Sequence, residues 1–264
     1  MSSATEGVKQ YQDSRKLAAR ARLHGEYTVA ETPWFPWIAG QLPLKPGDRV
    51  LDIGCGPGWF WQAVAATLPE GLDLTLADTS DGMVEEALER CRPLPFGSVA
   101  GRQADVSELP FDDGSFDAVI AMHMLYHAAD PAAGIAEIYR VLKPGGTLAV
   151  TTNGAGNLRE LYELTTVFGG TPTEPVAAVF GFDTAERLMQ AQFGNVTGSR
   201  HPAVLRITDP EDVFLALTSY PPGENADEAQ QKAFRKATDR AFQLGNGTLE
   251  TRKEMGLFLS RKTR

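Results

Sequence analysis

Between residues 49 and 152, five short apolar runs alternate with helix-length segments, and that alternation leaves few folds open. Residues 49–53, 72–77, a run from Val99 ending near Asp105, 116–122 and 147–152 read as strands. Residues 59–68, 81–90 and 131–142 read as the helices between them, with Ser80 or Asp81 capping the second and Pro131 opening the third. Strands that alternate with helices predict a parallel sheet covered on both faces, an α/β fold. A helix over 8–24 and a short one from Pro33 through Leu42 precede the first strand.

The last third reads differently. Helices are expected over 157–168, 183–193, 209–220 and 226–244, with Asp183 or Thr184 capping the second. A strand is expected within 196–207 and a closing strand over 255–260.

Charge and composition narrow the partners. The net charge is −9, from 25 Lys+Arg against 34 Asp+Glu, and a field of that sign opposes binding to phosphate backbones. Arg15, Lys16, Arg20 and Arg22 form the most basic stretch, which fits a solvated helix face. No apolar run approaches the roughly 20 residues that cross a bilayer, and the N-terminus lacks the pattern of a signal peptide. Cys55 and Cys91 imply no disulfide framework, which fits a cytoplasmic setting. His24, His123, His127 and His201 match no zinc spacing, so no metal site is expected.

The first strand runs into Gly54-Cys-Gly-Pro-Gly58 and then a helix. A strand, a glycine turn and a helix form the place where α/β sheets bind nucleotide-like ligands, because small residues let the backbone approach closely. The turn alone is also compatible with a tight connection that binds nothing. A dinucleotide fingerprint needs a third glycine at fixed spacing, but Trp59 or Trp61 stands there, depending on the register. No Gly-Lys-Ser/Thr follows, so a phosphate-binding P-loop is excluded too.

Three acids fall at successive strand ends. Asp52, just before the turn, is unfavourable beside a pyrophosphate and suits a cation, directly or through water. Asp78 ends the second strand, where a carboxylate can accept both ribose hydroxyls. Asp105 follows the third, where a carboxylate can accept an adenine amino group, although a lone aspartate there also fits a turn.

Val50-Leu-Asp-Ile-Gly-Cys-Gly-Pro-Gly58, Ala104-Asp-Val-Ser-Glu-Leu-Pro-Phe111, Ser115-Phe-Asp-Ala-Val119, Leu125-Tyr-His-Ala-Ala-Asp-Pro131 and Arg140-Val-Leu-Lys-Pro-Gly-Gly146 occur in that order. Together they resemble class I S-adenosylmethionine-dependent methyltransferases, in the small-molecule branch that includes the ubiquinone and menaquinone C-methyltransferases. Arg20-Ala-Arg-Leu-His24 before Trp34 is similar to relatives from bacterial secondary metabolism. The resemblance covers about residues 45–155. It implies a Rossmann-like, doubly wound sheet of seven strands, with the last strand (255–260) antiparallel and beside the fifth. It divides the chain into an N-terminal helical lid over 1–45 and a methyltransferase domain over 46–264. Insertions at about 155–182 and 209–247 would cover the substrate.

By position, the resemblance assigns Asp52, Gly54, Gly56 and Gly58 to the methionine part of the cofactor, with Cys55 also in the cofactor site. Asp78 would hold the ribose, with Thr79 and Met83 also in the cofactor site. Asp105 and Val106 would hold the adenine. Met122 and His123 would lie beside the methionine moiety, and Tyr11 and Arg20 would close over it. The expected reaction is in-line methyl transfer from S-adenosylmethionine, leaving S-adenosylhomocysteine. It needs alignment and water exclusion more than acid–base chemistry. If the acceptor must lose a proton, His123 is the candidate base, and a histidine that only lines the pocket is the other reading. His127 fits a structural role. Trp34, Phe35, Trp37, Trp59, Phe60, Trp61, Tyr162, Phe168, Phe180 and Phe182 are candidates for lining an apolar pocket, or simply for the core.

The expected acceptor is a small, moderately hydrophobic organic molecule, with no nucleic acid partner and no membrane insertion, in a monomer or homodimer. The alternatives are a methyltransferase acting on RNA or protein, a non-catalytic S-adenosylmethionine-binding module, and a nicotinamide-dependent oxidoreductase. The missing glycine and Asp52 weigh against the last.

Overall fold

The computed structural model describes residues 22–263. Tyr11, Arg20 and most of the expected helix over 8–24 lie outside them. In chain order the strands are β1 (Thr28–Ala30), β2 (Arg49–Ile53), β3 (Asp73–Asp78), β4 (Ser98–Gln103) and β5 (Phe116–Met122). They continue with β6 (Leu142–Asn153), β7 (Thr197–Arg200), β8 (Ala203–Ile207), β9 (Leu249–Lys253) and β10 (Met255–Arg261). The α-helices are α1 (Trp34–Ala39), α2 (Trp59–Val64), α3 (Asp81–Cys91), α4 (Pro131–Val141), α5 (Arg159–Leu164), α6 (Pro175–Phe180), α7 (Phe182–Phe193), α8 (Pro210–Leu217) and α9 (Glu228–Leu244). The chain divides into two compact units.

The larger unit comprises residues 32–153, 179–201 and 255 onward. Its sheet has seven strands in the order β4-β3-β2-β5-β6-β10-β7. β4, β3, β2, β5 and β6 run parallel, and β10 is antiparallel to both of its neighbours, pairing Met255 with Asn153 and Arg261 with Thr147. The expected doubly wound sheet, with its last strand reversed beside the fifth, is present.

Side chains alternate across a strand, so β2 serves both faces. Leu51 and Ile53 join the core cluster under α4 and α7, while Val50 joins the cluster that contains Phe60, Trp61 and Ala87 from α2 and α3. Asp52 shares the Val50 side by the same alternation. Ser80 caps α3 by accepting the Met83 N–H, and Asp130 caps α4 by accepting the N–H groups of Ala132 and Ala133 ahead of Pro131. Arg140 and Glu137 on α4 pin the loop after β4. Arg140 donates to the carbonyls of Leu109 and Phe111, and Glu137 accepts the Leu109 N–H.

The smaller unit comprises the described residues up to Glu31, with 154–178 and 202–254. Its antiparallel sheet has the order β1-β8-β9. Leu205, Ile207 and Leu249 from the sheet pack with Leu161 from α5, Val213 and Leu217 from α8, and Phe234 and Phe242 from α9. Asp227 and Gln230 close α9 with a capping box. Tyr27 donates to the buried Asp212 carboxylate at 2.5 Å, and Arg22 pairs with the same oxygen.

Three local expectations need correction. Residues 196–207 hold two strands in different sheets, separated at His201-Pro202, because proline supplies no N–H to continue a ladder. α7 starts at Phe182 with Gly181 as its cap and no side-chain cap, so neither Asp183 nor Thr184 has that role. The helix expected over 59–68 is α-helical only to Val64 and tightens into a 3₁₀ turn at Ala65–Thr67.

Candidate functional site

The described residues expected to bind the cofactor all belong to the larger unit, at the carboxyl ends of β2 to β5, whereas the pocket-lining candidates Tyr162 and Phe168 belong to the smaller unit. The turn after β2 is fixed at its root, where the Ala77 carbonyl accepts the N–H groups of both Gly54 and Cys55, at 2.7 and 3.0 Å. Gly54, Gly56 and Gly58 all have positive φ, at 71°, 50° and 75°. They differ in what surrounds them. A Cβ on Gly54 would lie 2.5 Å from the Cβ of Met124, and one on Gly58 would lie 3.1 Å from the Cys91 Sγ. A Cβ on Gly56 would meet nothing within 4 Å, so the turn opens to space at its middle glycine. Cys55 is half-buried, and burial raises its thiol pKa, so it is no ready nucleophile.

Asp52 lies under this turn, 1% exposed. Its Oδ2 accepts the indole N–H of Trp61 at 2.7 Å, while its Oδ1 is buried and has no hydrogen-bond partner among the described residues. Burial pushes the carboxyl up to about 7, against the opposing Trp61 hydrogen bond and with a smaller contribution from the charge of Asp78. A cationic donor beside Asp52 would reverse that balance.

Asp78 ends β3 and faces the turn. One oxygen accepts the Gly56 N–H and the other accepts the Ser80 N–H, each at 3.0 Å. Each carboxylate oxygen has a second lone pair for a ligand hydroxyl. Thr79 is exposed, with its carbonyl accepting from Gln103, and Met83 is half-buried in the first turn of α3. Asp105 is exposed beyond β4, and its Oδ1 accepts both the N–H and the hydroxyl of Ser107, at 2.8 and 2.7 Å. The turn reading of Asp105 is therefore realised. Val106 is buried, and its methyls would lie 3.1 Å from a Cβ on Gly134, so its side chain belongs to the core.

Met122 ends β5, half-buried, and His123 follows with φ of 50°, a left-handed conformation uncommon outside glycine. The His123 N–H is held by the carbonyl and the hydroxyl of Thr151 on β6, at 3.1 and 3.2 Å. Its ring centroid lies 5.7 Å from that of Trp34, which in turn stacks on Trp37 at 5.4 Å. His201 is buried against both indoles, at 5.2 and 5.1 Å, and its Nε2 makes a 2.8 Å hydrogen bond with the Thr32 carbonyl. His127 closes a 3₁₀ turn, donating its backbone N–H to the Met124 carbonyl.

The structure thus brings Asp52, the three glycines and Asp78 around one opening, with Asp105 and His123 at the ends of the flanking strands. Trp61, Met124, Thr151 and His201 were not assigned these supporting roles from sequence. Trp61 is nine residues from Asp52 and appeared only as one aromatic among many.

A family model described as a methyltransferase domain matches residues 51–150. The chain is 40% identical over 114 residues to the 27-O-demethylrifamycin SV methyltransferase of Amycolatopsis mediterranei, covering 43% of this chain and 41% of that protein. It is 37% identical over 149 residues to the demethylmenaquinone methyltransferase of Beutenbergia cavernae, covering 56% of this chain and 52% of that protein. The chain therefore spans about half, or less, of these curated relatives. Among solved structures, the (4+2)-cyclase SpnF shares the fold with a TM-score of 0.57 at 19% identity, over 99% of this chain and 96% of that one.

Proposed function

From residues 51–150, which form a methyltransferase domain of the class I S-adenosylmethionine-dependent kind, we propose that the protein transfers a methyl group from S-adenosylmethionine to a small organic acceptor. The observation that carries this reading is the buried Asp52 carboxylate under a turn that is open at Gly56. A buried carboxylate oxygen without a donor is costly, and an ammonium or sulfonium relieves it. A pyrophosphate would add to the cost. The residues present thus fit S-adenosylmethionine better than a dinucleotide.

In this reading Asp52 faces the methionine end, and the Gly54–Gly58 backbone lies against it. Asp78 keeps Gly56 in place and offers its remaining lone pairs to the ribose hydroxyls. Asp105 offers its second oxygen to the adenine amino group, and the buried Val106 leaves adenine contact to the backbone. Cys55, Thr79, Met83 and Met122 line the same end of the sheet. When bound, the cofactor supplies a methyl carbon on a sulfonium leaving group. The chain's own task is alignment and exclusion of water. His123 takes the acceptor's proton where one must leave, and Trp34 stands against its ring on the acceptor side.

A moderately hydrophobic acceptor, from secondary metabolism, is in keeping with the names of the rifamycin and menaquinone relatives. The net charge of −9 weighs against RNA. No helix among the described residues is long and apolar enough to cross a membrane.

Thermal unfolding with added ligand tests the cofactor. S-adenosylhomocysteine is expected to raise the midpoint and NAD to leave it unchanged, and the opposite pattern would overturn the reading. A screen of acceptors with labelled methyl donor then tests transfer. The second reading is a protein that binds the cofactor without methyl transfer. Cofactor binding with no labelled product across the screen would favour it.

A further inference from the structure

Lys253 is the last residue of β9 and is 7% exposed. Alternation along β9 turns Leu249, Thr251 and Lys253 to the buried side, so this lysine sits where an apolar residue is expected. Register places Lys253 opposite Ala203 on β8, and Ala203 opposite Ala30 on β1. The lysine stem crosses these small residues, and its Nζ donates to the Thr28 hydroxyl on β1 at 3.0 Å. The Thr28 hydroxyl in turn donates to the His24 carbonyl at 2.6 Å. The next row shows the contrast, because there Leu205 fills the middle position between Thr28 and Thr251.

An ammonium has three donors, and Thr28 takes one. Among the described residues no carboxylate lies within ion-pair distance of Lys253, while the neighbouring Thr251 hydroxyl is already committed to Glu160. Burial accordingly lowers the lysine to about 8, with no opposing charge acting on it. A cation this buried is ordinarily paired. Keeping it here, over two alanines and held by a hydroxyl relay, makes sense for a group that meets its counter-charge in a ligand.

We propose that Lys253, held in place by Thr28, forms an oxyanion subsite in the smaller unit, one that takes a carboxylate or phosphate group. That group belongs to an organic acid or a phosphate ester. A free anion is the other source of the same chemistry.

Thermal unfolding of the full chain tests the subsite without knowledge of the natural ligand. Inorganic phosphate and benzoate are added separately, at ionic strength matched with chloride, with and without S-adenosylhomocysteine. The wild type is expected to gain a few degrees with at least one anion at ~10-fold its dissociation constant. Lys253→Met is expected to lose that gain while keeping its response to S-adenosylhomocysteine. Lys253→Gln, which can still bond Thr28, carries the same expectation if the methionine variant folds poorly. A larger response to benzoate assigns an organic acid, and an equal or larger one to phosphate assigns a free anion or a phosphate ester. An anion response that survives both substitutions, or none from either anion in the wild type, overturns the subsite. Loss of the S-adenosylhomocysteine response in the wild type overturns the cofactor reading instead, so the two failures are distinct.

Discussion

The Asp78 carboxylate accepts the backbone N–H of Gly56 at 3.0 Å, so an acid at the end of one strand holds the turn that follows its neighbour. The other oxygen takes the Ser80 N–H at the start of α3. One side chain therefore ties together the turn and a helix cap, before any ligand arrives. Asp78→Asn leaves one acceptor oxygen where there were two, so one of these N–H groups loses its partner, at a cost of about 1–3 kcal/mol. Calorimetric titration with S-adenosylhomocysteine is expected to show affinity falling about tenfold to a hundredfold. Wild-type affinity would mean that the turn holds itself.

The three glycines are expected to separate by substitution. Gly54→Ala places a Cβ against Met124 at a φ of 71°, which combines overpacking with left-handed strain. A loss of about 2–4 kcal/mol in unfolding free energy is expected. Gly56→Ala meets no neighbour within 4 Å and has only its φ of 50° to overcome, about 1–2 kcal/mol. Its methyl projects into the opening, so the expected signature is a nearly stable protein with lost S-adenosylhomocysteine binding. Urea unfolding and titration of both variants check the pair, and equal binding losses at equal stability would count against an opening at Gly56.

Asp52 is expected to link cofactor affinity to pH. Its carboxyl titrates near 7 in the folded protein and near 3.9 in an unfolded chain, so between those values the folded form holds the extra proton. The Asp52 contribution to stability therefore falls as pH rises through about 7, where ionisation is forced in a buried position. Asp52→Asn removes that penalty. Relative to wild type, the variant without ligand is expected to gain about 1–3 kcal/mol at pH 8 compared with pH 5. A cation favours the ionised carboxylate, so wild-type affinity for S-adenosylmethionine is expected to weaken as pH falls below about 7. In Asp52→Asn, affinity is expected to be weaker and flat with pH. A wild-type affinity that is also flat from pH 5 to 8 would show that no cation meets Asp52.

What could be read in the sequence follows from where polarity and period agree. β2, β3, β5 and β6 are apolar runs, and the residues at their ends, Gly54, Asp78 and His123 among them, stand in chain order in the motifs. β9 escaped because Leu249-Glu-Thr-Arg-Lys253 alternates correctly but turns Thr251 and Lys253 inward, so its apolar pattern is broken. β1 has only three residues, too few to show a period. Residues 196–207 read as holding one strand, although His201-Pro202 marks the break between β7 and β8. In the site, the acids at strand ends were legible and their partners were not. The Trp61 indole reaches Asp52 only because β2 turns Asp52 to the face that α2 covers, and no local spacing rule states that contact.

His123 offers the last test. It holds a left-handed backbone at φ of 50°, and the Thr151 carbonyl and hydroxyl secure its N–H from β6. Such a conformation costs a residue with a side chain about 1–2 kcal/mol, and asparagine tolerates it well. His123→Asn is therefore the substitution that removes the imidazole and spares the turn, whereas alanine would mix loss of chemistry with strain. With an acceptor whose nucleophile must lose a proton, kcat is expected to fall about 10²-fold and the pH profile to lose the histidine ionisation. Affinity for S-adenosylhomocysteine is expected to stay close to that of the wild type, since the backbone of the cofactor site is kept. Steady-state kinetics across pH, paired with calorimetry, separates the two roles. If kcat and its pH dependence match the wild type while KM for the acceptor rises, the imidazole positions the acceptor beside Trp34 and removes no proton.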